Sequence, residues 1–300
     1  MVVSIFATTC IGVSGLSLFS FDTDMIQKIL FEVRLPRVCS AVLVGLGLAA
    51  AGCAMQGLFH NLMADPYLLG TSSGGSLGAA CAIVFFDGMF MPIFAFFGAV
   101  LSTIVVYIIS LRHGRVAVEV LLLSGITVSL FLSAMLSFLM YISGNSLRQI
   151  MFWMMGGFWN VYWDDVLLGL LILVASLVML VFSRDLNVMT LGEEEALHLG
   201  VNTEKTKRIL LLLSSFITSI SVSISGCIGF VGLIIPHIMR VLTGPDHRVL
   251  LLASMMAGAT LLMWADTIAR ILPVEIPVGI ITAFLGAPFF IYLLRRRLQI

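Results

Sequence analysis

Few residues in this chain could do chemistry, and their spacing excludes most enzymes. The lysines are Lys28, Lys205 and Lys207, and glycine precedes none of them, so no GxxxxGK[ST] loop exists to cradle phosphates. The histidines at 60, 113, 198, 237 and 247 are scattered and form no HExxH. Cys10, Cys39, Cys53, Cys81 and Cys227 lie in apolar stretches without CxxC spacing, which reads as buried, inert thiols and not as a metal or disulfide framework. No Ser/His/Asp set can be argued from the spacing. What remains is charge that could make ionic contacts. Asp266 and Arg270 stand one helical turn apart, the spacing of an ion pair. The stretch Leu191-Gly192-Glu193-Glu194-Glu195-Ala196-Leu197-His198-Leu199-Gly200-Val201 opens with three acids and closes on a glycine. That is the order a short helix prefers, with carboxylates near its N-terminus and Gly just past its end. Lys205, Lys207 and Arg208 follow. Such a segment fits a surface helix that touches a partner protein, and equally an ordinary solvated loop.

The elements that position these groups are set by lipid. Hydrophobic residues make up 60% of the 300, and charged residues only 11%, where a soluble domain carries about a quarter charged. A crossing takes roughly 20 apolar residues, and a chain in lipid must satisfy its own backbone, which leaves helices and closed barrels. Barrel strands alternate polar and apolar residues, whereas here the apolar runs are continuous. The expected fold is therefore an all-α polytopic membrane protein of about ten transmembrane helices, in one domain covering 1–300. The runs are 2–20, 38–59, 68–86, 90–111, 116–142, 164–183, 207–225, 226–243, 248–267 and 277–294. The seventh and eighth form one apolar stretch, punctuated by Gly226, Gly229 and Gly232. No basic segment precedes Val2, so the first run reads as a span and not as a cleaved signal peptide. Zero net charge offers no field for nucleic acid.

With both termini in the cytoplasm, eleven of the 16 Lys and Arg fall inside, among them the terminal Arg295-Arg296-Arg297. Lys28, Arg34, Arg37, Arg148 and Arg270 fall outside, against the trend. Arginine there can anchor to lipid headgroups, or bind carboxylates through its planar fork. Small residues in the second run (Gly45, Gly47, Gly52) and the third (Gly74, Gly75, Gly78) read as close helix packing. Met151, Phe152, Trp153, Met154, Met155 and Trp159 form an external segment that an interfacial belt would explain.

Several blocks resemble one family in order along almost the whole chain. Arg34-Leu35-Pro36-Arg37 precedes Val44-Gly45, Gly52, Gln56 and Asn61, and Asp65-Pro66-Tyr67-Leu68-Leu69-Gly70 follows. Arg148-Gln149 stands ahead of Trp153-Met154-Met155-Gly156-Gly157. Gly229-Phe230-Val231-Gly232-Leu233-Ile234-Ile235-Pro236-His237 leads to Asp246-His247-Arg248. Ala265-Asp266, Arg270, Glu275-Ile276-Pro277-Val278-Gly279, Thr282 and Leu285-Gly286-Ala287-Pro288-Phe289-Phe290 complete the set. The chain resembles the FecCD family, the iron-siderophore and cobalamin permeases of ABC importers.

The resemblance implies a type II importer permease in the cytoplasmic membrane that works as a homodimer, with the substrate path between protomers. It also implies two ABC ATPase subunits on the cytoplasmic face, which carry the ATP and magnesium, and an extracytoplasmic substrate-binding protein. The permease itself binds no cofactor and no metal. Arg34, Arg37 and Arg270 match arginines that pair with glutamates of the binding protein. The segment of about 191–206 matches the coupling helices, with Ala196, Leu199 and Gly200 in apolar contact and Glu193, Glu194 and Glu195 at the edge. Gate positions fall on Asn61-Leu62 and on Val118-Glu119. Relatives show Asn-Pro-Leu at the first, and a small hydroxylated residue at the second in a cobalamin-type relative, so this chain departs at both. The alternative is an ion-gradient-driven secondary transporter. It needs coupling-ion ligands near the midplane, whereas Asp266 and Glu119 lie at span edges.

Overall fold

The computed structural model describes residues 2–10, 28–112, 115–272 and 274–297. Residues 11–27, which hold the rest of the first expected crossing, and His113 lie outside the described residues. So do the side chains of Cys10, Arg112, Arg115, Arg296 and Arg297. The described chain is nearly all helix. Helix α1 (Val2–Cys10) precedes a π-helical turn (Ile29–Arg34) that runs without a break into α2 (Leu35–Leu58). Pro36 sits just past the junction, where the π-helical turn gives way to α2. A 3-10 turn (Pro66–Leu69) leads to α3 (Thr71–Phe86), and α4 (Met91–Ser110) returns. A small antiparallel hairpin follows, β1 (Leu111–Arg112) with β2 (Arg115–Val116), pairing Leu111 with Val116. Helices α5 (Val118–Ile142), α6 (Leu147–Met154), α7 (Trp163–Val181), α8 (Ser183–Met189) and α9 (Glu193–His198) come next. The chain ends with α10 (Thr203–Ser225), α11 (Val231–Thr243), α12 (His247–Ile271) and α13 (Val278–Arg297).

Six of the described helices are long and apolar enough to cross a membrane: Ile29–Leu58, Met91–Ser110, Val118–Ile142, Trp163–Val181, Thr203–Ser225 and His247–Ile271. Shorter apolar helices occupy Thr71–Phe86, Val231–Thr243 and Val278–Ile291. Nine of the ten apolar runs thus coincide with these helices, and α1 covers the start of the tenth.

Helix α2 is the axle of the bundle. Its run of Ala49, Ala50, Ala51, Cys53 and Ala54 is wholly buried, and α7, α10, α11 and α12 pack around it. In lipid, such packing relies on close van der Waals approach, because burial of apolar surface supplies no drive. Gly45 and Gly258 meet where α2 crosses α12, and a methyl group on either would run into the other's backbone carbonyl. Outward faces of α4, α5 and α7 expose Phe97, Leu101, Leu130, Phe131, Phe138 and Leu167. Patches of that extent mark a surface that something apolar covers, as expected of helices that cross a membrane.

The long apolar stretch breaks at residues 226–230, between α10 and α11. Gly226 has φ +66° and Phe230 φ +69°, and the freed backbone finds partners elsewhere. Gly157 N–H donates to Ser225 O at 2.8 Å, Tyr67 Oη–H to Ile228 O at 3.2 Å, and Gln56 Nε2–H to Leu233 O at 2.9 Å. Non-helical backbone at membrane depth is tolerated where protein buries it in this way.

Candidate functional site

Two charged clusters and one pair of helix approaches stand out. The first cluster forms where the start of α2 meets the end of α12, at the external end in the orientation derived above. Arg37 grips Asp266 with Nε at 2.9 Å from Oδ1 and Nη2 at 2.8 Å. Its Nη2 also reaches Glu275 Oε1 at 2.5 Å. Arg270 Nε lies 3.1 Å from Asp266 Oδ2, the one-turn pair expected from the spacing. Arg270 Nη2 donates to Thr8 O at 3.1 Å and Arg34 Nη1 to Thr9 O at 3.5 Å. Two arginines thus donate to backbone carbonyls of α1 and tie it to the cluster.

The structure therefore gathers Arg34, Arg37 and Arg270 into one cluster. It turns them inward, at 8%, 7% and 9% exposure, with Asp266 fully buried among them. Glu275 is the accessible member, its side chain 39% exposed. The Arg37–Asp266 fork was not readable from the sequence, since 229 positions separate the two residues. The one available signal was that both stand at the external end of a span.

The second cluster lies at the other end of the bundle, the cytoplasmic end in the same orientation. The acidic segment forms a helix, α9, whose first turn carries Glu193, Glu194 and Glu195. Gly192 precedes it at φ +127° and Gly200 follows at φ +83°, both outside the range other residues favour. Ala196 is fully buried against its own chain, so it is unavailable to a partner. Leu197 and Leu199, at 57% and 61% exposure, form the apolar surface instead, with Gly200 exposed beside them. Lys207, an ordinary loop cation by sequence, is buried and holds Glu193 Oε1 at 2.5 Å. Nearby, Asp246 caps α12, accepting from Arg248 N–H at 3.0 Å and from Asn187 Nδ2 at 2.6 Å. These bonds, the backbone one foremost, hold its carboxyl below the usual carboxylate range.

The gate positions lie in the turn after α2 and at the start of α5. Asn61 Oδ1 accepts from Met63 N–H at 3.0 Å, an Asx turn, and Leu62 is half-buried. Val118 is half-buried against the core, and Glu119 is exposed in the first turn of α5, as a solvated acid should be. The 3-10 turn that follows the Asn61 loop packs closely on α5: a methyl group on Gly125 would strike Leu68 O, and one on Gly70 would meet Ser129 Oγ. The Met-rich external segment forms the short helix α6, and Phe152 packs on Trp159 with ring centroids 4.2 Å apart. Cys227 takes hydrogen bonds with Ser72 and Ser76, at 3.0 and 3.3 Å, within the broken stretch.

Comparison with known proteins agrees with this architecture. The model of the FecCD transport family matches residues 1–296. The cobalamin import system permease protein BtuC of Halobacterium salinarum is 46% identical over 274 residues, covering 90% of this chain and 74% of that protein. The hemin transport system permease protein HmuU of Yersinia pestis is 42% identical over 286 residues, with 91% and 85% covered. A metal-chelate type ABC transporter solved in an inward-facing conformation superposes with a TM-score of 0.89 at 35% identity, covering 98% of this chain and 96% of that one. A match along nearly the full length, with the same helices in the same order, leaves one conclusion: this chain belongs to the FecCD transport family of ABC importer permeases.

Proposed function

We propose that this chain is the conduit of an ATP-driven importer that carries cobalamin or an iron chelate such as haem across the cytoplasmic membrane. The observation that carries the reading is the acid-led helix α9, held on the cytoplasmic face with Leu197 and Leu199 free. It belongs to a chain with no phosphate-binding loop of its own. Such a permease needs a partner that hydrolyses ATP, and α9 is a surface on which that partner can push. The similarity to cobalamin and hemin permeases supports the cargo class.

The chain acts as a homodimer, with both termini in the cytoplasm and the substrate path between protomers. Two ATPase subunits bind at α9, and an extracytoplasmic binding protein delivers cargo at the Arg34, Arg37 and Arg270 cluster. Its carboxylates would exchange with Glu275, the exposed partner of Arg37. The gates are Asn61-Leu62 and Val118-Glu119. Nucleotide moves the dimer between outward-open and inward-open states only by favouring one of them.

The test is transport in proteoliposomes with the ATPase and binding protein, offering cobalamin and haem in parallel. Uptake of either that depends on ATP and on the binding protein is the supporting result. Uptake driven by a proton or sodium gradient without nucleotide would instead establish the secondary-transporter alternative.

A further inference from the structure

Lys207 is buried to 3% exposure one turn into α10. A cation near a helix N-terminus opposes the dipole, and burying a charge is costly unless it is paired. Its partners come from two elements. Glu193 Oε1, at the first residue of α9, lies 2.5 Å from Nζ, and Glu204 Oε1, in the first turn of α10, lies 3.6 Å away. The other oxygen of Glu204 reaches further, since Oε2 accepts the Val116 N–H at 3.2 Å. Val116 closes the β1–β2 hairpin two residues before α5 begins. On the opposite side Thr206 Oγ1 donates to Asp185 of α8 at 3.2 Å, which steadies this turn of α10. Helix α9, the start of α10 and the entry to α5 thus meet in one continuous run of polar contacts.

We propose that Lys207 and Glu204 are a positioning pair that relays displacement of α9 to the hairpin and the start of α5, and so to the gate at Val118-Glu119. The proposal rests on α9 being the surface on which the ATPase acts. The hairpin is small, with two facing pairs, Leu111 with Val116 and Arg112 with Arg115. A pull on the Val116 N–H therefore acts on a residue seated in the core and joined directly to α5. The contacts act in series, Glu193 to Lys207, Lys207 to Glu204, Glu204 to Val116. Breaking any one of them breaks the relay.

Full-length permease, assembled with its ATPase and binding protein in proteoliposomes, tests this through Glu193→Gln, Glu204→Ala and Lys207→Met. The two acids are partly exposed, at 46% and 27% for their side chains, and each single variant leaves Lys207 the other carboxylate, so these variants test the relay even if Lys207→Met does not fold. The ATPase is expected to co-purify with Glu204→Ala, which lies outside α9, and to hydrolyse ATP near the wild-type rate. Cargo moved per ATP should fall at least about fivefold, the lower range of ordinary coupling between sites. The double variant should be no worse than either single one, as links in series require, and Lys207→Arg should retain most transport. Unchanged transport per ATP, or losses that add in the double variant, would overturn the relay. So would loss of ATPase co-purification in Glu204→Ala, which would make that residue a direct docking contact. Failure of the underlying reading looks different: deletion of residues 193–200 would then leave co-purification intact.

Discussion

Asp266 has no exposure, yet it stays where it is because three of its approaches are filled by guanidinium nitrogens from Arg37 and Arg270. A carboxylate buried in this way contributes little net stability while intact, but losing a partner exposes the full cost of desolvation. Arg37→Met is therefore expected to lower stability by about 3–5 kcal/mol, read as thermal unfolding of the purified protein in detergent. Adding Asp266→Leu to it should not restore the wild-type stability, because the buried Arg270 then loses its own partner. Full recovery would show that Arg270 does not depend on Asp266. The Asp266–Arg270 half of this cluster was readable from the sequence, since i,i+4 spacing on a helix is local information. The Arg37 half was not, because it depends on which end of α2 meets which end of α12.

Among the elements, α2 owes its place to its small residues. The glycines at 45 and 258 allow the two backbones to close to contact, and that crossing brings Arg37 to Asp266. Gly258→Val puts atoms where the Gly45 carbonyl stands. It should cost about 1–3 kcal/mol of strain and disturb the external charge cluster as well. Thermal unfolding and binding-protein affinity together check this: loss of stability without any loss of affinity would separate the crossing from the cluster. The spans were legible in the sequence because lipid imposes a hydropathy that needs no tertiary context. The break at 226–230 was legible only as a row of glycines. The inward face of Ala196 and the burial of Lys207 were not legible, since α9 has 6 residues and is too short to show a periodic face. Nor was the hairpin at 111–116 foreseen, where the apolar runs simply leave a gap between crossings.

At the scale of the whole molecule, polar groups among the described residues tie helices together. Cys227 bonds with Ser72 and Ser76, Asp65 and Asp246 cap helix starts, and Arg37 and Arg270 close the external cluster. Such a chain gives passage while a separate ATPase hydrolyses ATP, and under the proposal its two charged clusters, one at each end of the bundle, are the places where other proteins supply cargo and force. The most direct measurement reconstitutes the purified permease in liposomes with its binding protein and cobalamin or haem. Uptake is then followed with and without the ATPase subunits and ATP. Accumulation above the external concentration is expected only when both ATPase and ATP are present. Concentrative uptake by the permease alone, with no nucleotide, would contradict the role assigned to it.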